Sequence, residues 1–212
     1  MIRLAIFLLQ FLLTATCFAQ DGYSVVYKYD KRLSTITING GRRTLPGLSD
    51  RLVFNDSLSL WYRIPQGNDP WRKNKNFGNK LIHHAILYNF ITNLYYHEVA
   101  WPKGKEFLIR DSVRNQNWLF LNDIKEILGY RCRSVLHVNE KNDSTLIWFT
   151  DSISKPAGPL DYFGFPGLVL EVFDQVRGWH ILAGKVERGA FGVTMPKGTM
   201  IIPREDYVSP KK

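Results

Sequence analysis

Two short runs in the second half of the chain, residues 145–150 and 168–173, are apolar on both of their alternating sets of positions. In the first, Leu146 and Trp148 interleave with Ile147 and Phe149. In the second, Leu168, Leu170 and Val172 interleave with Val169, Glu171 and Phe173. A period of two marks a strand, and a strand apolar on both sides must be covered on both sides. A helix, a long loop or a bound apolar ligand could each supply the second cover, and the residues leave all three open. Between the runs lies the most unusual stretch of the chain. Gly158, Gly164 and Gly167 with Pro159 and Pro166 fall within ten residues, followed at once by Leu168. Glycine permits positive φ and close backbone approach, while proline fixes φ and removes a donor. Such a loop is conformationally specified, and it is expected to pack across one mouth or edge of the fold.

The rest of the chain reads as further strands. Residues 23–29, 34–38, 58–64, 86–89, 94–99, 106–110, 118–121, 132–138 and 179–186 are rich in β-branched and aromatic residues. Turn residues separate them, including Asn39-Gly40-Gly41 and Pro102-Lys103-Gly104. The reading is all-β and mainly antiparallel: a half-barrel or sandwich with at most one or two short helices. Residues 123–128 are the best helix candidate, residues 80–91 are read as strand rather than helix, and residues 203–212 as a loose tail. If residues 168–173 and 179–186 form a hairpin, Phe173 stands opposite His180, and Glu171 lies diagonal to His180 on the same face. An acidic neighbour can orient a histidine for base or ligand chemistry. A surface ion pair is the plainer and preferred expectation.

The N-terminus bears on location. Arg3, a mostly apolar run over residues 4–13 and Cys17-Phe18-Ala19 have the layout of a secretory signal peptide. Residues 1–19 are therefore expected to be removed, leaving residues 20–212 as one domain in the periplasm or at the outer membrane. No later segment approaches the ~18 apolar residues of a membrane helix. Of the two cysteines, Cys17 would leave with the signal and Cys132 would remain without an internal partner. The formal net charge of +9 could attract nucleic acid, anionic lipid or an acidic partner. Dispersed basic residues and an exported address argue against nucleic acid.

Several of these residues recur in one known order. Gly129-Tyr130-Arg131-Cys132, Trp148-Phe149-Thr150, Gly158-Pro159 and Gly164-Phe165-Pro166-Gly167-Leu168-Val169 follow one another after Trp118. The set resembles the GLPGLI family, with Phe165 for the first leucine of the name-giving motif and Val169 for its final isoleucine. The resemblance covers residues 118–174. It implies an exported protein of Bacteroidetes bacteria with no established activity. It also suggests an analogy to the open half-barrel of lipoprotein carriers. Through it Gly129, Tyr130, Cys132, Trp148, Gly158, Pro159, Gly164, Phe165, Pro166, Gly167 and Leu168 become candidate structural or binding positions.

Motifs for chemistry are lacking. No Gly-x-Ser-x-Gly elbow is present, and His97-Glu98 is followed by Trp101 where a zinc protease needs its second histidine. His83-His84 on a strand would point to opposite sides. No residue set calls for a metal or cofactor, and Glu171 with His180 is the sole polar pair worth weighing. The expectation is a non-enzymatic binding or chaperone-like module for a lipid, a peptide or an outer-membrane partner. A hydrolase with an unrecognised site and a structural envelope protein are the alternatives.

Overall fold

The structure, a computed structural model, describes residues 21–30, 35–38, 41–44, 49–64, 83–100, 106–113, 118–139, 141–196 and 200–207. The expected signal peptide, the turn at 102–104 and residues 208–212 lie outside these. The described strands are β1 (Asp21–Tyr29), β2 (Thr35–Ile38), β3 (Gly41–Thr44), β4 (Ser49–Phe54), β5 (Leu58–Arg63), β6 (His83–Asn89), β7 (Leu94–Ala100), β8 (Glu106–Ser112), β9 (Leu119–Ile127), β10 (Tyr130–Val138), β11 (Ser144–Thr150), β12 (Leu168–Asp174), β13 (Trp179–Ala190) and β14 (Ile201–Pro203). Twelve of them form one sheet in the order β14-β8-β7-β6-β5-β4-β1-β13-β12-β11-β10-β9, and β2 pairs with β3 in a separate hairpin. Within the large sheet every pairing is antiparallel except β14 on β8. The first strand joins two meanders, lying between β4 and β13. The fold is thus all-β, an open sheet whose ends are β14 and β9.

The sheet is strongly curled. Tyr95 of β7 and Trp118 at the start of β9 stand nine strand spacings apart in the order, ~43 Å on a flat sheet. Yet Phe163 packs edge-on to Tyr95 with centroids 5.3 Å apart, and Phe165 packs edge-on to Trp118 at 5.1 Å. Those two phenylalanines are two residues apart, at most about 7 Å along the chain. Only a sheet wrapped around the loop that carries them allows both contacts. The inner face is a continuous core, with Tyr27, Leu52, Phe54, Trp61, Ile147, Phe149, Val172 and Ile181 buried. The loop between β11 and β12 fills it, and Ile153, Leu160, Tyr162, Phe163 and Phe165 are buried there. The protein's own loop therefore covers the inner face of the doubly apolar strands, while Leu146, Trp148 and Phe173 on their opposite face stay partly exposed.

Two expectations need correction. Residues 123–128 are not helical: most belong to β9. Ile124, Ile127 and Leu128 have helix-like spacing, but Leu128 and Gly129 take positive φ, 54° and 80°, and close a two-residue hairpin turn. A Cβ on Gly129 would meet nothing within 4 Å, so the turn's backbone, not packing, favours glycine there. The C-terminal segment is also not a loose tail throughout. Pro203 ends β14, a 3-10 turn covers Arg204–Asp206, and Ile202 and Tyr207 pack on a second small core of Val99, Phe107 and Ile109. Its apolar residues are too thinly spread for a pattern, and the parallel pairing to β8 is a long-range choice.

Candidate functional site

The loop is held by backbone contacts that leave no room for side chains at two glycines. A Cβ on Gly158 would lie 1.8 Å from the Tyr162 carbonyl oxygen, and one on Gly167 would lie 2.0 Å from that of Thr150. Gly164 takes φ of 90°, a value that side chains disfavour. Backbone amides find partners within the loop and at its ends. Gly164 N donates to Pro156 O at 3.0 Å, Leu168 N to Ile153 O at 3.1 Å, and Val169 N to Ala157 O at 2.9 Å. Tyr27 reaches across from β1 and donates its hydroxyl to Val169 O at 2.5 Å. The candidates Gly158, Pro159, Gly164, Phe165, Pro166, Gly167 and Leu168 are thus gathered in one packed element. Gly129, Tyr130 and Cys132 lie apart from it, at the turn and start of β10.

Arg177, in the β12–β13 turn, clamps this loop. Its two terminal nitrogens donate to Asp161 Oδ1 and Oδ2 at 2.6 and 2.5 Å. Its guanidinium stands 5.1 Å from the Tyr162 ring centre and 5.4 Å from that of Trp179. Tyr162 donates its hydroxyl to the buried Asp174. Burial works against charge on Asp161, but the Arg177 hydrogen bonds and charge outweigh it and hold its carboxyl below the ordinary value. A second ion pair lies deeper, where Arg63 Nε sits 3.1 Å from Asp50 Oδ1 and Tyr29 donates to Asp50 Oδ2 at 2.6 Å. Here burial prevails and raises the Asp50 pKa despite Arg63. Sequence reasoning missed both networks, since Arg177 and Asp161 look like solvated turn residues.

The pair Glu171 and His180 does meet, on the opposite face of the sheet. Phe173 stands opposite His180 in the β12–β13 ladder, as the hairpin reading predicts. His180 Nε2 lies 2.7 Å from Glu171 Oε1. The preferred expectation of a surface ion pair is wrong in one respect: the two side chains are only 14% and 12% exposed. Lys125 from β9 is the third member. Its ammonium pairs with Glu171 Oε2 and stands 4.2 Å from the centre of the Trp148 ring. Partial burial opposes charge on Glu171, yet the hydrogen bonds from His180 and Lys125 prevail and lower its pKa. Asp30 Oδ2 approaches His180 Nδ1 at 3.8 Å. Leu146, Phe173 and Leu182, each partly exposed, complete this face.

Cys132 is fully buried, and its thiol donates to Tyr130 O at 3.3 Å. Burial pushes its pKa up to about 11, so at neutral pH it is a thiol and a poor nucleophile. His97, His137 and His180 sit on three different strands. The side chains of His83 and His84 lie outside those described. Among the described residues, no group of three or more His, Cys, Asp or Glu is arranged to hold a metal ion. No described helix is long and apolar enough to cross a membrane.

No family model matches the chain, and no curated protein matches it in sequence. Its fold has likenesses among solved structures. Two crystal structures of PNGF-II, in space groups C2 and P21, superpose with TM-scores of 0.61 and 0.60 at 13% and 14% identity. Each alignment covers 87% of this chain, and 31% and 32% of PNGF-II respectively. The chain therefore spans about a third of the length of PNGF-II. At such identity the likeness is one of fold.

Proposed function

We propose that this protein is an exported, GLPGLI-like binding module of the bacterial cell envelope, and that its partner is a protein or peptide rather than a lipid held inside the sheet. One observation carries the reading. The inner face is filled by residues 151–167 of the chain itself, whereas the opposite face of β11–β13 presents Leu146, Trp148 and Phe173 around a charged cluster. Aromatic and aliphatic side chains beside a few placed charges are what protein interfaces use for their central contacts. Glu171 already has Lys125 and His180 as partners, which suits a scaffold for such a face better than a free base. The neutral thiol of Cys132 works against a nucleophilic role. Occurrence of the fold as about a third of a longer chain also fits a module.

A photo-crosslinking residue introduced at Phe173 tests this in the envelope of living cells. Irradiation is expected to give discrete adducts that Trp148→Ala abolishes. The same residue at Ile91, on an exposed turn away from this face, is expected to give none. Equal labelling at both positions, or no adduct at Phe173, would contradict the proposal.

A further inference from the structure

β9 is an end of the large sheet, paired with β10 on one side and with no strand on the other among the described residues. It is nine residues long and leaves apolar side chains in water: Leu119 is 61% exposed, Phe120 56% and Ile124 52%, with Leu128 of the adjoining turn at 48%. An edge of this kind is a template for another strand. Natural edges are protected by charges and bulges, and β9 has both: Asp123, Lys125 and Glu126, and an irregularity where its pairing skips from Ile124 to Phe120. The order of those charges also determines which strand they admit.

Consider β9 beside β9 of a second copy. Antiparallel strands related by a two-fold axis normal to the sheet keep each face on its own side. Side chains therefore meet only at positions of the same parity, and the axis passes through one residue. Centring on Asp123, Lys125 or Glu126 sets a charge against itself, which is destabilising. Centring on Asn122 sets Asp123 opposite the partner's Leu121 and Lys125 opposite the partner's Leu119. Centring on Ile124 satisfies every position of the central stretch. Ile124 meets the partner's Ile124, and Asp123 meets the partner's Lys125. Leu121 meets the partner's Ile127. The charge pair occurs twice by symmetry. Lys125 has three donor hydrogens, so an added carboxylate does not require it to leave Glu171.

We infer that the occupant of this edge is a second copy of the same chain, paired antiparallel through β9 about a two-fold axis at Ile124. The two large sheets then run on into one. The faces bearing Lys125, Trp148 and Glu171 fall on the same side of the joined sheet. This inference is independent of the partner proposed for those faces.

Disulfide trapping of protein purified after export reads the register directly. At the two-fold centre the paired Cα atoms lie about 4.5–5.5 Å apart, within disulfide reach. Ile124→Cys is therefore expected to give a covalent dimer under mild oxidation. Glu126→Cys sits four residues from its own copy, about 14 Å away, and is expected to stay monomeric. The unsubstituted protein should form no covalent dimer under the same conditions. Light scattering should find it dimerising reversibly with concentration, and Ile124→Lys should weaken that association at least about tenfold by placing two ammonium groups on the axis. A monomer at all concentrations from about 1 to 100 μM, where Kd values of ordinary weak complexes lie, overturns the inference. So does equal trapping of both cysteine variants, or failure of Ile124→Cys to cross-link.

Discussion

The loop over residues 151–167 and strand β9 dispose of apolar side chains in opposite ways. The loop has no regular structure, yet it buries Ile153, Leu160, Phe163 and Phe165. The strand is regular over much of its length, yet it leaves Leu119, Phe120 and Ile124 about half exposed or more. Regularity therefore does not decide burial in this protein; position relative to the curled sheet does. The loop lies inside the curl and is enclosed by both meanders, through Tyr88 and Tyr95 on one side and Trp118 and Phe149 on the other. β9 is the outermost strand of its meander, so nothing further in the described chain covers it.

The sharpest challenge to this contrast is a substitution the loop cannot accommodate. Gly158→Val places side-chain atoms against the Tyr162 carbonyl. Backbone would have to move, at an expected cost of about 4 kcal/mol or more. Urea denaturation would show it, and an unchanged midpoint would mean that the loop is not tightly packed. A matched pair of truncations comes next. Phe163→Ala removes a ring stacked 4.4 Å from Tyr88 and should lower stability by about 3 kcal/mol or more. Phe120→Ala, at the edge, should change the monomer by about 0.5 kcal/mol. Equal losses in the same denaturation measurement would erase the distinction between the regions.

The smallest effect concerns the charged cluster that ties β9 to β12. The pKa of Glu171 is lowered by its partners from an ordinary value of 4.5. Its ionised form therefore stabilises the fold above that value, and the contribution is lost as pH falls through the lower folded-state pKa. Glu171→Gln should be less stable than the parent protein at about pH 7. The gap should narrow on acidification below the ordinary glutamate value. A gap that is constant or widens in acid would show that the carboxylate charge is not what these partners recognise.

Much of the inner sheet was legible because its strands announce themselves locally. Residues 145–150 and 168–173 carry alternation on both faces, and the short turn between β12 and β13 fixes their register closely enough to place Phe173 opposite His180. The covering of those strands was not legible, since a loop, a helix and a ligand make the same demand on sequence. β9 is ambiguous in sequence for a physical reason. An exposed edge lacks a buried face to impose alternation, so Ile124, Ile127 and Leu128 could be read with either period. Lys125 joins Glu171 over 46 residues of sequence, and Arg177 joins Asp161 across the loop's closure. Such pairings depend on how the sheet curls, which no local pattern encodes. Cys132 and Trp148 stood out by resemblance, but their roles differ: one is a buried thiol, the other a platform beneath Lys125.

Residues 151–167 are core rather than lid, and amide hydrogen exchange tests that most directly. The amides of Gly164, Leu168 and Val169 donate to carbonyls at Pro156, Ile153 and Ala157. They are expected to exchange only on global unfolding, with protection within about tenfold of the central β12 amides such as Val172. Exchange several orders of magnitude faster in the loop than in β12 would contradict the account, because the loop would then open while the sheet stays folded.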